Sequence, residues 1–318
     1  MSAYVPPHKR RGAPAATAAP THADRSNDAR RLERRVQESS TRSAASEIFT
    51  GGVAVVNLRR RPDRLRRFAA SAARALGSRA WSRFEAVDGA AADARADGAF
   101  EARWDATRNA AHDRHIRPGP RRATDGERGC ALSHVALWRR VAALDDAAWF
   151  LVCEDDCAFR DFFDDELRRA WPLLPPGADL VYLGLSDRGE RTYDVAGRVF
   201  APAYGFGTHC YAIRAPAARR LLEHLPVAGP VDVWLADNAW FGATVRCVVK
   251  PGGGWENTGR FLCQQDAKPG DADVRQSSRD APLAGDAAPP ASVDDVAAAL
   301  SGLDVDDASD EWAGVGRC

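Results

Sequence analysis

The sequence predicts a three-layer α/β fold with a mainly parallel central sheet, and three observations predict it. Short apolar runs of strand length alternate with amphipathic stretches of helical period between residues 52 and 249. Two of those runs, at 149–153 and 179–184, are apolar without alternation, as strands covered on both faces are. The flanks, 1–48 and 266–318, are rich in Ala, Arg, Pro, Asp and Gly and poor in large apolar side chains. They cannot bury enough surface to offset ordering entropy, so they read as disordered tails around one folded domain at 49–265.

In chain order, Val53-Ala54-Val55-Val56-Asn57-Leu58 is rich in β-branched residues and reads as the first strand. Pro62, preorganised for a first helical turn, opens a helix to about residue 76 with Leu65, Phe68, Ala69 and Ala72 on one face. Phe84-Glu85-Ala86-Val87 reads as a second strand ending at Asp88-Gly89, and the polar, Arg-rich residues 90–125 as partly helical. Residues 127–144 form an amphipathic helix, with Ala131, Val135, Trp138 and Ala142 at helical spacing. A central strand at 149–153, a helix at 161–174 and a second central strand at 179–184 follow. Residues 191–213 suggest strands with Gly-rich turns, 215–225 and 231–240 helices, and 244–249 a closing strand. In the flanks, only 29–38 and 293–303 have helical character.

The formal charge is zero, but its distribution is uneven. Residues 1–47 carry nine Lys/Arg against five Asp/Glu, and residues 265–318 four against twelve. The middle is left mildly basic, which suits an anionic small ligand and gives little support for duplex nucleic-acid binding, which would want a stronger basic face. Among the seven cysteines, Cys153 and Cys157 form a C-x3-C pair, by itself a poor zinc signal, so the cysteines read as structural thiols. No apolar h-region opens the chain and no run approaches the length of a membrane span, so a soluble, reducing, cytoplasmic setting is expected.

Several constellations could carry chemistry. Glu154-Asp155-Asp156 follows directly on an apolar strand, beyond the carboxyl edge where open α/β sheets bind ligands. In extended chain Glu154 and Asp156 share a side, which makes them the better pair of hard oxygen ligands for Mg2+ or Mn2+; the other reading is a solvated loop. Asn57-Leu58-Arg59-Arg60-Arg61-Pro62-Asp63-Arg64 joins a strand end, a cationic loop and a helix start, an arrangement that binds phosphates unless it is simply a solvated basic loop. Gly126-Glu127-Arg128-Gly129-Cys130-Ala131-Leu132-Ser133-His134 starts a helix with glycines that permit close approach, and His134 faces either the cleft or a structural partner. Asp232 follows Pro230-Val231 at a helix start, where a cap is the simplest role.

These pieces occur in one order that resembles the family 25 glycosyltransferases, which include lipooligosaccharide sugar transferases and collagen hydroxylysine galactosyltransferases. The matching motifs are Val56-Asn57-Leu58 with Arg61-Pro62-Asp63-Arg64, Ala86-Val87-Asp88-Gly89, Gly129-Cys130 with Ser133-His134 and Trp138, and Val152 to Asp156. Asp179 to Gly184, Gly207-Thr208 with Tyr211, and Val231-Asp232 with Trp234-Leu235 complete the set over residues 52–265. The resemblance implies a GT-A-like nucleotide-binding fold and inverting, metal-assisted transfer of a sugar from a UDP-sugar, as in lipopolysaccharide biosynthesis. It implies Glu154 and Asp156 as ligands of Mn2+ or Mg2+. Asn57, Arg61, Arg64, Asp88, Gly129, Ser133, His134 and Asp155 would surround the nucleotide sugar, and Asp232 would be the base. Past His224 the chain has no further histidine, so His209 or water would complete the metal site.

The expected partners are a nucleotide-sugar donor and a glycan, lipid-linked or protein hydroxyl acceptor, with no specific nucleic acid and no membrane span. The expected location is the cytoplasm, which for a virus-encoded protein is that of the host or a viral factory. Two alternatives stand beside the transferase: a metal-dependent nucleotidyltransferase or phosphohydrolase using the same triplet, and a degenerate transferase that serves as a binding module.

Overall fold

A computed structural model describes residues 43–77, 80–113, 116–188, 192–251 and 260–266. The tails, with the helices expected at 29–38 and 293–303, lie outside the described residues, apart from their inner ends. There, 43–48 departs from the expected disorder. Ala44–Ile48 forms a helix, α1, with Ala44 and Ala45 buried. Ser43 caps it, and the Ala44 amide donates to Asp164 Oδ1 at 2.6 Å. Small side chains can be buried in close contact without large apolar area, which composition alone does not register.

The further elements are β1 (Gly52–Asn57), α2 (Pro62–Ala75), β2 (Ser82–Glu85), α3 (Ala92–Ala96), β3 (Phe100–Glu101), β4 (Arg103–Asp105), α4 (Thr107–His112), β5 (Pro120–Arg122), α5 (Asp125–Ala142), β6 (Phe150–Glu154) and β7 (Cys157–Phe159). After them come α6 (Phe163–Ala170), β8 (Leu180–Arg188), β9 (Thr192–Val195), β10 (Val199–Ala201), β11 (Tyr204–Ile213), α7 (Ala215–Glu223), β12 (Val227–Ala228), α8 (Val231–Asp237), β13 (Val245–Val248) and β14 (Cys263–Gln265).

Eight strands form the main sheet in the order β2-β1-β6-β11-β8-β13-β10-β9. The expected mainly parallel sheet is corrected to a mixed one. β2, β1 and β6 pair in parallel, as do β8 and β13, but β11 lies antiparallel between β6 and β8, and the β9–β10 hairpin closes the far edge antiparallel. A strand buried on both faces shows the same unbroken apolar run in either direction, so direction was not readable from β11. β13, expected to close the sheet, is an interior strand.

Side chains of the central strands alternate between two cores. Ala54, Val56, Val152, Leu180 and Tyr182 join residues of α5, α7 and α8 on one face. Val53, Val55, Leu151, Cys153, Val181 and Leu183 join α1, α2 and α6 on the other. This period-2 partition makes the three layers. The candidate site stands at the carboxyl ends of β1 and β6.

Candidate active site

Thr124 and Glu127 begin α5 with reciprocal side-chain and backbone hydrogen bonds, a capping box that fixes where the helix starts. One turn later Gly129 meets the chain that leaves β2. A Cβ on Gly129 would stand 2.6 Å from the Val87 carbonyl oxygen, and one on Gly89 would stand 1.8 Å from that of Asp125. Ser133 Oγ accepts from the Val87 amide at 2.9 Å and donates to the Gly129 carbonyl at 2.6 Å. Gly129 and Ser133, expected around the nucleotide, thus clamp the loop that carries Asp88 onto the helix.

His134, the next residue, is fully buried. Its Nδ1 lies 2.9 Å from the Tyr211 hydroxyl and its Nε2 3.2 Å from Glu154 Oε1. Trp138 Nε1 donates to the same Tyr211 oxygen at 2.9 Å, and the Thr208 hydroxyl donates to Glu154 Oε1 at 2.6 Å. Burial alone would lower the pKa of His134, but Tyr211, Cys130 and Glu154 around it raise it well above the ordinary value. Cys130, His134 and Glu154 also offer ligand atoms within 4.8 Å of one another.

The other two acids point elsewhere. β6 ends at Glu154, and Asp155 and Asp156 form a turn before β7, so the alternation of an extended chain stops inside the triplet. Arg64, on the first turn of α2, bridges both: Nε lies 2.7 Å from Asp155 Oδ1 and Nη2 2.9 Å from Asp156 Oδ2. Asn57 orients Asp155 from below. Its Nδ2 donates to Asp155 Oδ2 at 2.6 Å and to the Arg61 carbonyl at 2.9 Å, while Arg83 Nε donates to Asn57 Oδ1 at 2.9 Å. Burial raises Asp155 to about 6 against the pull of Arg64 and Asn57. Asp156 is raised well above the carboxylate range by burial first and then by the neighbouring Glu154 charge. Its Oδ1 is buried without a hydrogen-bond partner. Two mutually repelling carboxylates with an unsatisfied oxygen suit a hard divalent cation, so the expected donors Glu154 and Asp156 fit one chemically even though they do not share a side as extended-chain neighbours.

The cationic loop is already paired with acids. Arg59 bonds Glu85, Arg60 bonds Asp88 and Arg61 bonds Asp63. The Arg59–Glu85 and Arg60–Asp88 pairs are open to solvent and weak enough for a phosphate to replace. Asp232 is not the helix cap, which is Pro230. Its buried carboxylate accepts from the Gly207 amide at 3.0 Å and from its own neighbour Val233 at 2.9 Å, tying α8 to β11. The β11 register against β8 shifts on both sides of Cys210, a bulge beside Thr208 and His209. His209 is buried, burial lowers its pKa, and neither ring nitrogen has a hydrogen bond of normal geometry.

Sequence reasoning missed Arg83, which no motif marks. It also missed what Thr208 and Tyr211 do. Both stood in a quoted motif, but only the pairing of β11 with β6 brings them to Glu154 and His134.

Among the described residues no helix is long and apolar enough to cross a membrane. Residues 52–173 match the model of glycosyltransferase family 25 (LPS biosynthesis protein). A glycosyltransferase 25 family member of Anopheles gambiae is 35% identical over 131 residues, 38% of this chain and 21% of that protein. An inactive glycosyltransferase 25 family member 3 of Homo sapiens is 33% identical over 204 residues, 60% of this chain and 32% of that protein. Procollagen galactosyltransferase 1-B of Xenopus laevis is 32% identical over 123 residues, 35% of this chain and 20% of that protein. The chain thus spans a third or less of the length of these relatives.

Proposed function

From the premise that residues 52–173 resemble the family 25 glycosyltransferases, we propose that the chain transfers a hexose from a UDP-sugar to a hydroxyl acceptor, with inversion, on a GT-A-like fold. The observation that carries this reading is the convergence of Asn57, Arg64 and the three acids at the carboxyl ends of β1 and β6. Glu154 and Asp156 would hold Mn2+ or Mg2+, which when bound neutralises the diphosphate as it leaves.

The chain's own residues do the remaining work. Arg60 and Arg61 exchange their acidic partners for phosphate oxygens at the start of α2, where the helix dipole adds to their attraction. Asn57 and Arg64 keep Asp155 aligned beneath them, and the Gly129–Ser133 clamp holds Asp88 at the rim. Asp232 accepts the proton of the acceptor hydroxyl. The hydroxyl oxygen then bonds to the anomeric carbon from the side opposite the phosphate, and the anomeric carbon–oxygen bond breaks with its electron pair leaving on UDP.

A second reading is a sugar-nucleotide-binding protein without turnover. One observation favours it: Arg64 already neutralises Asp155 and Asp156 within the chain. UDP release from UDP-glucose, UDP-galactose and UDP-N-acetylglucosamine, with Mn2+ and a panel of hydroxyl acceptors, separates the two. Acceptor-dependent UDP release that is lost in Asp156→Asn supports transfer. Tight Mn2+-dependent UDP binding with no release from any donor supports the second reading. Nucleotide turnover without an acceptor sinks both in favour of a phosphohydrolase.

A further inference from the structure

Behind the acidic triplet the fold gathers four cysteines from four strands: Cys153 of β6, Cys157 of β7, Cys210 of β11 and Cys263 of β14. All are free thiols, exposed by 2% or less. Cys153 and Cys210 are direct partners across the β6–β11 ladder, with sulfurs 3.9 Å apart. Cys263 brings its sulfur to 3.3 Å from that of Cys210. The sulfurs of Cys153, Cys157 and Cys210 all lie within 4.8 Å of one another. Neighbouring vertices of a tetrahedron of thiolates around zinc are about 3.8 Å apart, given Zn–S bonds of ~2.3 Å. The Cys153–Cys210 and Cys210–Cys263 separations, 3.9 and 3.3 Å, fall on either side of that edge.

Buried cysteines often serve as small apolar side chains, and a scattered set would need no other account. These are not scattered. Three of the six cysteines among the described residues converge and Cys263 joins them through Cys210, while Cys130 and Cys247 stand elsewhere. A four-thiolate zinc site carries a net charge of −2 and calls for polar neighbours. His209 supplies one: it is buried beside Cys210 with no hydrogen bond of normal geometry on either nitrogen, and its ring presses on Gly184, where a Cβ would stand 2.1 Å from Nε2.

We propose that Cys153, Cys157, Cys210 and Cys263 form a closed structural site for a soft divalent cation, Zn2+, that fastens the turn bearing the acidic triplet. Binding deprotonates the thiols and releases their protons to water. Two ligands straddle Glu154-Asp155-Asp156, so the turn is held at both ends. The third joins it to the centre of the sheet. The fourth anchors β14, whose neighbour Asp266 donates its amide to the Asp156 carbonyl at 2.6 Å. With four sulfur ligands and no open position, the site is structural, and its ligand softness separates it from the oxygen site of the triplet.

The test uses the full chain, purified without chelators, with metal content measured by elemental mass spectrometry. The expected result is about one zinc per folded chain, released in step with thiol modification by a mercurial. Co2+ exchanged into the wild-type chain should show sulfur-to-cobalt charge transfer and the strong d–d bands of a tetrahedral site. Cys263→Ser should lose the metal, and Asp156→Asn should keep it. Folded wild-type chain with no bound zinc overturns the proposal. So does Co2+ bound without sulfur charge transfer, or zinc lost from Asp156→Asn and retained by Cys263→Ser. The cobalt spectrum is read on the wild type, so a cysteine variant that fails to fold does not blunt the test, and none of these readouts depends on glycosyl transfer.

Discussion

Replacing Arg64 by Met removes a cation that bridges two buried carboxylates and keeps most of the side chain's apolar stem. Arg64 is 13% exposed, and Asp155 and Asp156 are 9% and 8% exposed, so water replaces little of what is lost. Breaking a buried ion pair by removing one partner costs about 3–5 kcal/mol. The cost is limited because the acids can take up protons instead. Asp155 sits at about 6 even with Arg64 present, against an ordinary 3.8, and Asp156 is raised as well. A folded-state carboxyl pKa above its unfolded value gives stability that is full at low pH and declines as pH rises. Near pH 5 Asp155, at about 6 with Arg64 present, is mostly protonated in either protein, and the variant should lose no more than about 1 kcal/mol. At about pH 7.5 the loss should reach about 3–5 kcal/mol. Urea unfolding midpoints of wild type and Arg64→Met at the two pH values measure the difference. A loss below about 1 kcal/mol at neutral pH, or one that is equal at both, would refute the claim that Arg64 compensates buried acids.

Gly129→Ala forces its Cβ to within 2.6 Å of the Val87 carbonyl; an unfolding midpoint lowered by about 1–3 kcal/mol is expected, together with weaker UDP binding as the Asp88 loop moves off α5. Asp155→Asn should flatten the wild-type stability profile between pH 3.8 and about 6, a window in which the wild type loses up to ~3 kcal/mol as pH rises. Asp232→Asn should leave UDP affinity intact and lower kcat by about 10²–10⁴-fold, seen by comparing a binding isotherm with turnover. Thr208→Val removes the 2.6 Å hydrogen bond to buried Glu154 and should cost about 1–3 kcal/mol, measured by thermal or urea unfolding.

What was legible in the sequence was what a single stretch of chain decides. The apolar runs of β6 and β8 and the helix of α5 were readable because each declares its own burial. The location of the triplet was readable for the same reason. Its geometry was not, because the turn at Asp155–Asp156 replaces the alternation that an extended chain would impose. Residues 90–125 resolve into α3, α4 and three short strands, each too brief for a periodicity to show. The glycine at 129 signals a close approach, but nothing in a helix sequence tells that what approaches it and Ser133 is the backbone of residues 87–89. Cys153 and Cys157 were visible as a pair, but no spacing rule connects them to Cys210 and Cys263.

The insertion of β11 between β6 and β8 has a consequence for the order in which the protein assembles. Synthesised from the N-terminus, the chain completes β1, β2, β6 and β8 before residue 204 exists. In that interval β6 and β8 each present an unpaired apolar edge, the kind of edge that invites wrong pairing. Only the arrival of β11 separates them, and the same event brings Thr208 to Glu154 and Tyr211 to His134. The Thr208 and Tyr211 half of the site therefore forms only with the separation of β6 from β8, and a nascent chain stalled ahead of β11 holds an aggregation-prone sheet whose Glu154 lacks its Thr208 partner.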